Sequence, residues 1–183
     1  MKQSPLQLKF VTYPIASYET LDDYAGEGDD IVPAEVDCEV SWTLNGPHMV
    51  VVNIKSDHEK NAAPYRFSVT AASLFSFDRE VAEREYKPKT ASQLSKYIAV
   101  NAARIVYAGA REQLAMMTAR GPHGAAMLGS VLLEPSDVKV RSDAHPLEIL
   151  RSVFGASDEE LEELKSRAAA SKREESSSSA SSD

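Results

Sequence analysis

Residues 34–54, AEVDCEVSWTLNGPHMVVVNI, decide what kind of fold this chain builds. Val36, Cys38, Val40, Trp42 and Leu44 fall on every second position, while Asp37, Glu39, Ser41 and Thr43 take the places between. A period of two is that of a strand with one face in a core and the other in water. Asn45-Gly46-Pro47 then supplies turn chemistry, and residues 49–54, MVVVNI, return as the antiparallel partner. A β-hairpin is the expectation.

Reading outward adds two strands. Residues 6–18 carry apolar side chains on both parities, with Leu6, Leu8 and Phe10 on one and Val11, Tyr13 and Ile15 on the other, the pattern of a strand wanted on two faces. Pro14 lacks the N–H that a central ladder requires, so this strand is expected at an edge or with a bulge. The acidic, glycine-containing residues 20–30, TLDDYAGEGDD, read as a solvated loop. Beyond the hairpin a polar loop leads to YRFSVTAA, where Tyr65, Phe67, Val69 and Ala71 share a face.

After Phe75 and Phe77 the pattern changes. Residues 79–89, REVAEREYKPK, are charged and hold Pro88; Ser92 is then the expected N-cap of a helix running to about Ala119, which Arg120-Gly121-Pro122 stops. Residues 122–133, PHGAAMLGSVLL, are a loop of small and apolar residues. HPLEILRSVFG reads as a short amphipathic helix, with Pro146 in its first turn and Gly155 beyond its end. Ser157 and Glu160 form an S-x-x-E capping box ahead of EELEELKSRAAA. From Ser171 onward SKREESSSSASSD is low in complexity and is expected to stay unfolded. The fold class is therefore α+β: a four-stranded antiparallel sheet, a long helix and a shorter C-terminal helix. The expected organisation is a main domain over residues 1–155, an exposed acidic helix over 156–170 and a disordered serine-rich tail over 171–183.

Composition narrows the function. The chain has 183 residues, 43% of them hydrophobic, enough for a real core, and no apolar run of membrane-spanning length. Gln3, Ser4 and Pro5 follow Met1-Lys2 where a secretory signal would be apolar, so a cytoplasmic protein is expected, and the lone Cys38 fits a reducing compartment. With 28 Asp and Glu against 20 Lys and Arg the net charge is -8, which repels a phosphate backbone and argues against nucleic acid as a partner.

No catalytic constellation emerges. His48, His58, His123 and His145 are scattered, and the Asp57-His58-Glu59 run is followed by Asn61 and Ala62 where a second metal ligand would stand. Neither a nucleophile elbow nor a phosphate-binding glycine motif is present; Gly26 and Gly28 sit among carboxylates. Cys38, inside an alternating strand, reads as a core residue rather than a nucleophile. Neither catalysis, cofactor nor metal is expected.

The long helix says more. Ile98, Ala102, Ile105, Gly109 and Met116 lie on one face and Tyr97, Val100, Tyr107 and Leu114 on another, too broad a surface for one sheet to cover. Its waist is bare, with Ala99, Ala102, Ala103, Ala108, Gly109 and Ala110, although a helix-interior glycine costs about 1 kcal/mol relative to alanine unless packing compensates. Two explanations stand: close packing within the chain, or self-association through Ala102, Ile105, Gly109 and Met116.

Three stretches carry a resemblance. Residues 110–121, AREQLAMMTARG, are similar to the long-helix end A-R-E-x-[IL]-x-x-[ML]-[VT]-x-R-G of the SecB family of tetrameric protein-export chaperones. Residues 68–77, SVTAASLFSF, resemble the family's last strand, and PAEVDCEV precedes the central hairpin as it does there. The order of elements is also the family's, over about residues 6–154. The resemblance implies protomers pairing into dimers and dimers packing through their long helices into a homotetramer. It implies unfolded clients held in apolar grooves formed by the second strand, the loop before it and the segment after the long helix. By position, one wall is Ile31, Val36, Cys38 and Val40, and the other Met127, Leu128, Val131 and Leu132.

The function implied is an ATP-independent holdase, without cofactor, for unfolded or nascent polypeptides, keeping preproteins competent for translocation by the Sec pathway and its motor SecA. Members that engage SecA present acidic residues on the outer sheet face. Here Glu19 retains one, Ile15 and Ser68 stand where others are expected, and Asp37 and Glu39 add negative charge. Ile31 replaces a groove aromatic. SecB-like chaperones that guard antitoxins share the fold and tolerate such changes. Two other classes fit the same elements: a non-catalytic interaction subunit with one dedicated partner, and a helix-grip or hotdog domain for a small apolar ligand. A hotdog carboxylate would lie early on the long helix, where this chain has Gln93, Ser95 and Lys96.

Overall fold

A computed structural model describes residues 4–21, 24, 31–56 and 64–179, with side chains described as far as Ala170. In chain order the elements are β1 (Leu6–Thr20), β2 (Ile31–Val32), β3 (Ala34–Trp42), β4 (His48–Ser56), β5 (Tyr65–Phe77), α1 (Arg79–Tyr86), α2 (Ala91–Thr118) and β6 (Met127–Leu128). A 3-10 turn (Pro135–Asp137), β7 (Val138–Ser142), α3 (Pro146–Ser152) and α4 (Asp158–Ser179) follow. The class is α+β, as the sequence predicts.

The main sheet runs β1-β5-β4-β3-β7. The four predicted strands pair antiparallel, and β3 with β4 forms the predicted hairpin, Val40 opposite Val50. β1 is an edge strand with register shifts at Leu8/Phe10 and Thr12/Ile15, and Pro14 sits in the second, so both expectations for it hold. The sheet has five strands rather than four, because β7 joins β3 in parallel, Cys38 opposite Val138 and Trp42 opposite Ser142. A second, two-residue parallel pair joins β2 to β6.

Other differences are local. The charged stretch after β5 is a helix, α1, although Ala82 is its only buried residue. Its ends hold it: Asp78 accepts a hydrogen bond from the Val81 N–H at 3.0 Å, and Lys87 closes it with a left-handed φ of 47°. α2 is capped by Thr90 rather than Ser92, the threonine hydroxyl accepting from the Gln93 N–H at 3.1 Å. The capping box of α4 is half formed: Ser157 Oγ accepts from the Glu160 N–H at 3.2 Å, while the Glu160 carboxylate turns to the start of α2. The predicted unfolded tail falls on residues 171–179, whose side chains are not described, and on residues 180–183, which lie outside the described residues.

α2 lies across one face of the sheet. Ile98, Ala102, Val106, Ala110 and Leu114, spaced one turn apart, share a fully buried core with Val50, Val52, Ile54, Val69 and Ala71. Ala99 and Ala103 are buried there too, so most of the bare waist brings the helix close to its own sheet.

Candidate functional site

The β2–β6 pair joins the two predicted groove walls. Ile31 faces Met127 and Val32 faces Leu128 across it. Val32 and Leu128 point inward and are buried, whereas Ile31 is 59% and Met127 50% exposed. Gly129 makes this approach possible, because a Cβ there would lie 3.2 Å from Ile31 Cγ2.

Side chains of α2 and β5 hold the segment that follows the long helix. Thr118 Oγ1 accepts from the Ala126 N–H at 2.7 Å, and Tyr65 Oη donates to Gly124 O at 2.8 Å. Tyr107 Oη donates to Gly129 O at 2.8 Å and the Arg104 guanidinium to Leu133 O at 2.7 Å. These bonds satisfy three carbonyls and one N–H of the segment and leave Val131 and Leu132 turned out, Leu132 with 76% of its surface in solvent. Between α2 and residues 126–128 lies a cleft of about 210 Å³, lined by Ala108, Arg111, Glu112, Ala115, Met127 and Leu128. Arg111 stands over the Tyr107 ring at 5.9 Å, its Nε buried without a hydrogen-bond partner.

The other predicted wall is different. Val36 is half-buried, and Cys38 and Val40 lie in the core with no exposed surface, their strand edge covered by β7. Burial, with the charges of Asp37 and Asp137 behind it, pushes the Cys38 thiol up to about 11, consistent with a core residue.

Of the predicted contact residues on α2, Ala102 faces the core, Gly109 is half-buried under Tyr13, and Ile105 and Met116 are exposed. On the outer sheet face Phe10, Ile15 and Met49 are exposed, while the carboxylates are paired: Glu19 with Arg66 at 3.3 Å, Asp37 with Lys139 at 2.7 Å and Glu39 with Arg141 at 3.0 Å.

The sequence reading missed a second apolar region, at the far end of β3. Trp42 packs against His48, Phe75 and Phe154 at centroid distances of 4.9, 5.7 and 4.9 Å, and beside it a cavity of about 180 Å³ is lined by Val140, Ile149, Leu150 and Phe154 among others. Trp42 ending a cleanly alternating strand was the local signal; its helical partners come from far along the chain. Burial lowers the His48 pKa, against a smaller upward pull from Asp143, and the ring's Nδ1 accepts from the Thr43 N–H at 3.3 Å. Among the described residues no group of three or more His, Cys, Asp or Glu is placed to hold a metal ion, and no helix is long and apolar enough to cross a membrane. The Asp57-His58-Glu59 run lies outside the described residues.

Among solved structures, the SecB-like chaperone Rv1957 of Mycobacterium tuberculosis, in complex with a ChAD peptide from the Rv1956 HigA1 antitoxin, is similar to this chain with a TM-score of 0.46. The two are 14% identical, over 70% of this chain and 88% of that one. No protein-family model matches the sequence, and no curated protein matches it.

Proposed function

We propose that this chain is a non-catalytic, ATP-independent holdase of the cytoplasm that binds unfolded or nascent polypeptide segments. The observation that carries the reading is the exposed apolar ridge of Ile31, Met127, Val131 and Leu132 beside the α2 cleft. Contiguous exposed apolar surface marks a binding site, and a methionine-bearing loop suits clients of varied sequence. A segment burying roughly 300 Å² there gains about 7 kcal/mol at 25 cal/mol/Å² before ordering costs, which leaves weak binding per site. Several sites on one particle convert weak segments into tight capture. The proposed particle is a dimer of dimers that uses the exposed Ile105 and Met116 of α2. Holding works by mass action on the unfolded state and needs no nucleotide.

Delivery of preproteins to SecA is the finer form of this proposal. The exposed Ile15 on the outer sheet face, where members that engage SecA are expected to carry a carboxylate, favours a second form, a chaperone with one dedicated partner. Light scattering of the purified protein, alone and with a reduced, slowly folding client, is the test. A particle of about four chains that captures the client and delays refolding supports the reading. A monomer indifferent to unfolded chains overturns it. Ile105→Glu with Met116→Glu should dissociate the particle without altering circular dichroism.

A further inference from the structure

β7 is an edge strand of the main sheet with little buried surface. It is five residues long, Val138-Lys139-Val140-Arg141-Ser142, and only Val138 is buried. It alternates apolar and basic residues against a β3 that alternates apolar and acidic ones. Lys139 reaches Asp37 and Arg141 reaches Glu39, and all four side chains keep contact with solvent, so these ion pairs hold it weakly. The strand is clasped at its end, where the Asp143 N–H donates to Trp42 O at 3.2 Å and Asp143 Oδ1 accepts from the Leu44 N–H at 3.2 Å.

β7 leaves part of this edge and of the space beside it uncovered. The strand covers β3 only from Cys38 to Trp42; the outer edge of residues 34–37 carries no partner strand among the described residues, and Glu35 extends the acidic row there. Opposite Val40, Val140 remains 54% exposed and stands beside the cavity lined by Trp42, Ile149, Leu150 and Phe154, a space that a larger apolar side chain would fill.

We infer that the edge of β3 is a docking edge for an extended segment alternating apolar with basic residues, and that β7 is its resident occupant, displaced when such a segment arrives. This rests on the holdase reading and specifies its client chemistry. An incoming strand pairs first with the open edge at residues 34–37, beside Ile31, and then replaces β7 residue by residue. Main-chain hydrogen bonds transfer from one strand to the other, Asp37 and Glu39 exchange cations, and a bulkier apolar residue takes the place of Val140.

A lock tests this directly. Val138→Cys sets a second thiol opposite the native Cys38, and paired strands about 4.8 Å apart lie within disulfide range. Oxidation should tie β7 down; reduction should free it, with no other cysteine in the chain to interfere. Binding is read by anisotropy with dye-labelled, reduced and carbamidomethylated ribonuclease A, and with a peptide copying residues 136–143 alongside its charge-reversed version. The locked protein should bind the unfolded protein at least tenfold more weakly than wild type and recover on reduction. Lys139→Glu with Arg141→Glu, surface changes that set carboxylates against Asp37 and Glu39, should free β7, tighten binding at least threefold and admit the basic peptide but not the reversed one. A locked protein of wild-type affinity, or a freed one blind to peptide charge, overturns the inference; if the lock does not fold, the charge variant decides. Wild type that ignores unfolded ribonuclease while the freed variant binds it refutes the holdase reading as stated but supports the displaced strand. Indifference in both overturns both.

Discussion

The hydroxyl of Tyr13, on edge strand β1, donates a hydrogen bond to the carbonyl oxygen of Gly109, in the middle of α2, at 3.2 Å. The Tyr13 hydroxyl oxygen lies 3.2 Å from where a Cβ on residue 109 would stand. The glycine in the helix waist is therefore accounted for inside one chain. Two opposed effects meet in Gly109→Ala: a gain of about 1 kcal/mol in helix propensity, and displacement of a tyrosine whose bond contributes about 0.5–1.5 kcal/mol. Alone, the substitution should leave stability within about 0.5 kcal/mol of wild type. In a Tyr13→Phe background, with no hydroxyl to displace, it should stabilise by about 0.5 kcal/mol more. Urea unfolding of the four proteins in this double-mutant cycle measures the difference, and strict additivity would remove Tyr13 as the reason for Gly109.

The ridge makes a sharper separation between folding and binding. Met127 and Leu132 are exposed, so Met127→Asp or Leu132→Asp should change stability by no more than about 0.5 kcal/mol. Each should nevertheless weaken capture of an unfolded client about tenfold, equivalent to about 1.4 kcal/mol. Leu128, their buried neighbour in β6, should behave in the opposite way: Leu128→Ala costs about 2–5 kcal/mol of stability. Binding unaffected by both aspartates would move the client site elsewhere.

What the sequence made readable was local. The period of two in β3, β4 and β5 and the long helical pattern of α2 each announce themselves within one element, as does the awkwardness of Pro14 in a strand. α1 and β7 escaped because neither is stabilised by a buried face of its own: α1 buries Ala82 alone and β7 only Val138, and what holds each is a cap or a distant strand. The same limit shaped the site. Alternation in β3 identifies Cys38 and Val40 as inward-facing but is silent on what covers them, whereas Ile31 and Met127 were named through the resemblance alone, Ile31 following an acidic loop and Met127 lying in an apolar one.

Glu160 illustrates how a local motif acquires a distant partner. Its carboxylate accepts hydrogen bonds from the N–H groups of Ala91 at 3.2 Å and Ser92 at 3.1 Å, placing negative charge at the positive end of α2. Leu161 beside it is buried and Asp158 pairs with Arg151 of α3, so α4 is docked by charge and by an apolar anchor. Glu160→Ala should cost about 1 kcal/mol and speed amide exchange at Ala91 and Ser92, while leaving exchange in the middle of α2 unchanged. Unchanged exchange at those two amides would mean that Thr90 alone caps the helix.

His48 sets a pH limit on the fold. The ring is buried against Trp42, Phe75 and Phe77, and burial holds its pKa below the usual value of 6.5. The charged group nearest by influence, Asp143, pulls the other way without winning. In the unfolded chain the imidazole takes up a proton as pH falls through 6.5, while the folded protein leaves it neutral, so the unfolded state binds more protons and gains ground. Above that pH both states are neutral and the group contributes no pH dependence. Stability should therefore be level in this respect from pH 8 to 7 and decline below about 6.5. His48→Gln keeps an acceptor for the Thr43 N–H but does not titrate. Urea midpoints at pH 7.5 and 5.5 should fall more for wild type than for this variant, and equal falls would show that the carboxylates alone set the acid limb.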